Sequence, residues 1–226
     1  MLTANIPWNL KDVLFIHLLR LAVGLLLVRL VYPLLFTATP FTVELTDRVV
    51  ILILVGLALR KYRVNPVFLG VSGVRFWPNL VWGLAAGGIL LGVSIFSERI
   101  YATALLLTPA QHPLVVLVKN ASTWQELSVP LVLAGIAAPV AEETLYRLFT
   151  FLPMKERWGL WGGAFISAII FALMHFNLYW LPEMVIVGMG LAMVYYWSGS
   201  LFSAIVAHAF INTSKILLLF WGFPLS

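Results

Sequence analysis

Uninterrupted apolar runs of bilayer length constrain this chain more than any other feature. Stretches such as VLFIHLLRLAVGLLLVRLVYPLLF (residues 13–36) and LVWGLAAGGILLGVSIF (residues 80–96) follow one another with only short connections between them. About 20 apolar residues in a helix match the hydrocarbon thickness of a membrane. The rest of the composition agrees: 62% of residues are hydrophobic and 10% charged, with a mean hydropathy of +1.01. Soluble domains carry about a quarter charged residues. The expectation is an all-α, polytopic membrane bundle of about seven or eight transmembrane helices, forming a single integral-membrane domain over residues 1–226.

The spans read from the apolar runs are 13–36, 49–59, 80–96, 129–152, 160–176, 181–197 and 201–221. The second is short and is expected to end at the charged segments ELTDR and RKYR, whose side chains would snorkel. The stretch YATALLLTPAQHPLVVLVKN is interrupted by Pro109, Gln111, His112 and Pro113, which favours an interfacial or re-entrant piece over a full span. Arg60, Lys61, Arg63 and Arg75 fill one connection without an acidic residue, so the positive-inside rule places it, and the N-terminus, on the cytoplasmic side. Lys155 and Arg157 join that side only if the interrupted stretch does not cross. The net charge of +5 is scattered at the ends of apolar runs, as membrane anchors are, and does not suggest nucleic acid. Cysteine is absent, which removes disulfides, thiol nucleophiles and thiolate metal sites. No cleavable leader is expected, the first apolar run being too long for one.

Within this apolar background the segment PVAEETLYRLF is anomalous, with Glu142, Glu143 and Arg147 inside a span. An ionised group at the centre of a lone spanning helix costs about 2.5–3.5 kcal/mol on insertion scales, so these need partners or water. Glu143 and Arg147 stand i,i+4 with the acid first, the favourable order for a pair on one face. Glu142 lies about 100° round the helix and is left without an intrahelical cation. Pro139 would free the carbonyl of Gly135 and kink the helix beside it. Two other spans carry helically spaced polar residues: Phe171 with His175, and His208 with Asn212. Polar groups on separate helices are cheapest when they converge on one site. A carboxylate, two imidazoles and an amide are parts for hydrolysis by activated water. Arg20 and Arg29 are read as snorkelling or paired within the bundle, and His17 and His112 as interfacial or packed residues.

The segments EETLYR (142–147), FALMH (171–175) and HAFIN (208–212) resemble, in order and spacing, three motifs of one family. They are the EExxxR, FxxxH and HxxxN motifs of the CAAX-protease and bacteriocin-processing (CPBP, or Abi) intramembrane proteases, which include the Ras-converting prenyl-protein endopeptidases. The resemblance lies within residues 129–216 and includes AAPVAEE ahead of the first motif. Leu148 departs from the pattern, because many relatives have glycine after the arginine. The resemblance implies that Glu142, helped by His175, activates water. It implies that His208 and Asn212 hold the oxyanion, and that Arg147 with Glu143 braces the first motif. Spacing alone does not decide which glutamate is the base.

The resemblance leans towards chemistry without a cofactor; a zinc ion held by Glu142, His175 and His208 is the alternative, although no short ligand spacing signals it. Glu142 lies thirteen residues before Lys155, roughly 20 Å along a helix. Water must therefore enter by a cavity. The expected partners are membrane lipid and a substrate already at the bilayer, such as a lipidated tail or a hydrophobic peptide, in a prokaryotic cell membrane. The sequence leaves open whether the substrate is a prenylated C-terminus, a bacteriocin or pheromone precursor, or another membrane protein's tail, and it does not show an oligomeric state. Two readings without proteolysis compete. One is a scaffold or immunity protein for which catalysis is dispensable. The other is a transporter, for which the matching inverted repeats are not found.

Overall fold

The computed structural model describes residues 6–71, 75–104 and 113–223. These residues form seven long α-helices, one short one and a 3₁₀ turn at Pro66–Leu69, with no strand among them. Helix α1 spans Leu10–Leu35 and α2 spans Pro40–Lys61. Next come α3, Phe76–Ala104, and the short α4, Pro113–Asn120. Residues 124–158 form α5 and residues 160–173 form α6, the two meeting at Gly159. The last pair are α7, Leu181–Ser198, and α8, Leu201–Phe220.

Local chemistry sets the helix ends. The Asn9 side chain accepts from the Lys11 N–H at 2.8 Å, and the Asp12 carboxylate accepts from the Asn9 N–H at 2.9 Å, a capping box that starts α1. Thr39 caps α2 ahead of Pro40, and Thr123 with Glu126 caps α5 in the same reciprocal way. Gly159 separates α5 from α6 with φ 72° and ψ 177°, a conformation open to glycine and costly for other residues.

Three π turns interrupt the ladder, at Leu27–Val31, Leu133–Ala137 and Thr144–Phe151. Each ends two residues before a proline: Pro33, Pro139 and Pro153. A proline ring clashes with the carbonyl four residues earlier and offers no N–H. Widening the turn relieves the clash without breaking the helix, as π bulges at functional sites do.

Among the described residues, five segments are long and apolar enough to cross a membrane by length and composition: Leu10–Leu35, Phe76–Tyr101, Trp124–Leu173, Leu181–Ser198 and Leu201–Phe220. Helix α2 falls short because Glu44, Asp47 and Arg48 interrupt its apolar pattern. The expected second span, 49–59, therefore requires correction. ELTDR does not end it; the helix begins at Pro40 and carries those charges in its body. Helix α4, at eight residues, is about 12 Å long and too short to cross. Pro109, Gln111 and His112 lie outside the described residues.

Polarity is distributed as in a membrane protein. Leu14, Leu34, Trp77 and Ile89 are at least 60% exposed, whereas Glu143 and Arg147 are completely buried. Helices α3 and α8 run parallel and nearly touch. A Cβ on Gly83 would lie 2.7 Å from the Val206 side chain and 2.8 Å from the Ser203 carbonyl oxygen, the close approach that small residues permit between spanning helices.

The basic segments share one end of the bundle. The Leu201 N–H donates to the Gly70 carbonyl at 3.1 Å, and the Tyr195 hydroxyl donates to the Leu69 carbonyl at 2.7 Å. Lys155 Nζ sits 5.3 Å over the Tyr196 ring. The end of α5 thus lies with the connection that follows Lys61. Leu148, the departure from the family pattern, is buried in the core at 1% exposure.

Replacing Gly83 with leucine should cost about 1–3 kcal/mol of stability through overpacking, read as a lowered Tm in detergent. Gly88→Leu, where nothing lies within 4 Å of the added Cβ, should leave Tm unchanged.

Candidate active site

Helices α5, α6, α8 and α2 bring the polar residues of the three motifs together around Glu142. The carboxylate is 4% exposed. Its Oε2 lies 3.9 Å from His175 Nε2 and 3.9 Å from His208 Nε2. Its Oε1 lies 3.4 Å from an Arg48 guanidinium nitrogen. One oxygen therefore faces a cation and the other faces two imidazoles, too far for direct hydrogen bonds and suitably spaced for a water between them.

The far nitrogen of each imidazole is fixed. His175 Nδ1 is 2.8 Å from the Phe171 carbonyl, which can only accept, so Nδ1 carries the proton and a neutral ring presents a lone pair at Nε2. His208 Nδ1 donates to Glu143 Oε1 at 2.7 Å. His175 does not lie within a helix, as the sequence suggested; it occupies the turn after α6, whose last residue is Leu173. The ring folds back onto the carbonyl four residues earlier.

Glu143 and Arg147 pair as expected, with Arg147 Nε 3.0 Å from Glu143 Oε2. No nitrogen of Arg147 makes an aligned hydrogen bond; the guanidinium lies 4.9 Å over the Phe171 ring, a cation–π contact that offsets part of its desolvation. Glu143 therefore holds Arg147 with one oxygen and His208 with the other.

Asn212 Nδ2 donates to the Ala134 carbonyl at 2.8 Å. The π turn explains why that carbonyl is free. In its register the Ala138 N–H bonds Leu133, so Ala134 would be bonded by residue 139, which is proline and has no N–H. The freed carbonyl is thus Ala134 rather than the expected Gly135. The amide keeps a second N–H for another acceptor.

Three groups were missed from sequence. Arg48 also pairs with Glu44 at 2.7 Å and Asp47 at 2.9 Å. Arg20 is chelated by Asp47 at 2.8 and 2.6 Å and donates to the Tyr146 hydroxyl at 3.1 Å; its reading as a paired residue is met, but its place against the site is new. Lys215 bridges Glu183 at 3.0 Å and Glu98 at 3.3 Å. His208, Asn212 and Lys215 are spaced i, i+4, i+7, and Glu44, Asp47 and Arg48 are spaced i, i+3, i+4, so a one-face signal was present for both sets. His17 packs as expected, buried, with Nε2 3.0 Å from Thr150 Oγ1.

All these polar groups except Glu143, Arg147, His17 and Thr150 line one cavity of about 1430 Å³. Among the described residues no three His, Cys, Asp or Glu side chains are grouped closely enough to hold a metal ion.

In this helical bundle a buried carboxylate thus faces two oriented imidazoles, and the Asn212 amide lines the same cavity. Residues 124–214 match the family model described as Rce1-like, type II CAAX prenyl endopeptidase. That stretch carries all three motifs, and it belongs to the CAAX-protease family of membrane proteases. No curated protein and no solved structure matches the chain.

Arg48→Gln removes the cation that fixes Oε1 of Glu142. Misplacing a reacting group by about 1 Å costs on the order of a hundredfold in rate. A loss of that size in kcat, with Tm retained and partial recovery in Arg48→Lys, would assign Arg48 to positioning; an unchanged kcat would remove it from the site.

Proposed function

We propose that this protein is an intramembrane endopeptidase that hydrolyses a peptide bond in a lipidated, CAAX-type or otherwise hydrophobic substrate, with Glu142 as general base. The observation that carries the reading is the convergence of Glu142 Oε2 with His175 Nε2 and His208 Nε2 at 3.9 Å each.

Water held between these three atoms gives a proton to Glu142 Oε2 while its oxygen attacks the scissile carbonyl carbon. The His175 lone pair accepts a second hydrogen bond from the water and aims it. Negative charge collects on the former carbonyl oxygen, where the free N–H of Asn212 donates. His208 donates through Nε2 when its ring carries both protons, with Glu143 on Nδ1 as counter-charge. The carbon–nitrogen bond then breaks as the proton held by Glu142 passes to the departing nitrogen, leaving a carboxylic acid and an amine and returning Glu142 to its ionised form. Glu143 serves as a positioning group between Arg147 and His208. The side chains alone supply the acid, the base and the oxyanion donors, so the reaction as drawn needs no metal.

The cavity supports a substrate with a large apolar part. Small-molecule sites are typically about 300–1,000 Å³, and this cavity exceeds that. Leu21, Leu25 and Val28 of α1 line it along with the polar residues, so an apolar chain and a peptide can be held side by side.

Purified protein in detergent should cleave prenylated peptides with a C-terminal CAAX sequence, with the cut site read by mass spectrometry. Glu142→Ala should lower kcat by about 10²–10⁴-fold, and Asn212→Ala by about 10²–10³-fold. Activity should survive a chelator. Loss of activity with chelator, restored by zinc, would replace this mechanism with a metal-dependent one. Cleavage undiminished in Glu142→Ala would reject Glu142 as the base, and a cellular phenotype that survives Glu142→Ala would favour the scaffold reading.

A further inference from the structure

We infer that the active-site cavity opens on the non-cytoplasmic face of the membrane, so the substrate is a lipidated or hydrophobic peptide presented from that side. The inference rests on the hydrolase reading for what enters the cavity, but not for where the cavity opens.

Most of the cavity wall lies at the site's depth or beyond it, in the direction away from the basic connection; Tyr146, Phe171 and Val187 form its floor, about one helical turn nearer that connection. The wall draws side chains from within residues 20–32 of α1, 43–50 of α2, 114–121, 134–146, 171–187 and 208–223, with Glu98 of α3. Helix directions turn these numbers into sides. Asp12, near the start of α1, lies 3.9 Å from Lys61 at the end of α2, so residues 27–32 and 43–46 lie towards the opposite end. Asn212 meets Ala134 and His208 meets Glu143, so α5 and α8 are antiparallel. Trp124 packs against Phe220 at 5.4 Å, at the end where the cavity emerges past Asn120 and Phe223.

The other end is closed. Trp8, Leu69, Phe149, Phe151 and Tyr195 are each at most 2% exposed and belong to one apolar core. Trp8 stacks on Phe149 at 5.3 Å and donates its indole N–H to the Phe149 carbonyl at 2.9 Å. Water reaching Glu142 from the basic end would have to cross this layer.

Charge identifies the sides. Arg60, Lys61, Arg63, Arg75, Lys155 and Arg157 stand at the closed end, whereas Lys119 and Arg99 stand towards the open one. Lys and Arg accumulate on cytoplasmic connections, so the closed end faces the cytoplasm. In a prokaryotic cell membrane the mouth then faces outward.

The chain has no cysteine, so single-cysteine variants report sidedness without background. Thr37→Cys and Asn120→Cys mark the open end; Lys61→Cys and Glu156→Cys mark the closed end. In intact bacterial cells a membrane-impermeant maleimide should label the first two, and label the second two only after permeabilisation. The reverse pattern, or labelling of all four in intact cells, overturns the inference. Two positions at each end cover the failure of any one variant to accumulate. Prenylated peptide added to sealed vesicles of each orientation separates the two readings. Outward labelling with no cleavage in either orientation rejects the hydrolase and leaves the sidedness standing, whereas inward labelling with cleavage does the opposite.

Discussion

The structure turns on Glu143, a carboxylate with no exposure that is shared between Arg147 on its own helix and His208 on α8. Placing ions in a low-dielectric interior costs several kcal/mol each, and the penalty is met only if every member keeps its partner. That requirement acts on whole helices. For His208 to reach Glu143 while Asn212 reaches Ala134, α5 and α8 must hold one axial register, because a shift of a single residue would turn these side chains about 100° away. Apolar packing between spanning helices supplies little of this specificity, since lipid tails are as apolar as leucine. The ion contacts therefore select the register, and glycine contacts such as Gly83 against α8 allow the helices to approach closely enough to keep it.

Backbone irregularity contributes to the site in its own way. A regular helix through Pro139 would clash at one carbonyl and leave it without a partner. The π turn at Leu133–Ala137 moves the unpartnered carbonyl to Ala134, where Asn212 reaches it. The same adjustment precedes Pro153, so the segment from Thr144 to Phe151 that carries Arg147 is wound wide throughout. The prolines do not break this helix. They leave hydrogen-bonding vacancies that side chains from elsewhere fill, Asn212 of α8 at the Ala134 carbonyl and Trp8 at the Phe149 carbonyl, and the Asn212 amide is oriented as a consequence.

The sequence made the motif residues legible for a thermodynamic reason: in an apolar span each ionisable group is costly, so Glu142, Glu143, Arg147, His208 and Asn212 stood out without any fold in hand. All reach one neighbourhood. The charges of α2 were harder to read because Glu44, Asp47 and Arg48 border an apolar run of only eleven residues, 49–59, and charges at the edge of a run look like its end. Their i, i+3, i+4 spacing, which marks one face of a continuing helix, was the better guide. Lys215 was hidden for a related reason, since a lone lysine near the end of a span reads as a snorkelling anchor. Its carboxylate partners, Glu98 and Glu183, come from helices more than thirty residues away in sequence. The position of His175 in a turn depends on where α6 stops, and periodicity leaves helix ends imprecise.

The early end of α6 ties depth to chemistry. At 1.5 Å per residue, 160–173 advances only about 21 Å from Gly159, so the chain turns inside the bundle at His175 and returns as α7. Exposed turns are excluded from hydrocarbon, because their backbone groups would lack partners; they persist only where they line a wet cavity. The turn at residues 174–176 meets that condition, with Met174, His175 and Phe176 all at the cavity wall and the first helix-end carbonyls taken by turn hydrogen bonds. The cavity is thus a condition of the fold as well as of the reaction. Water is needed there to solvate the end of α6, and the apolar layer beneath it lowers the local dielectric, so that the charge pairs around Glu142 interact more strongly than they would in bulk solvent.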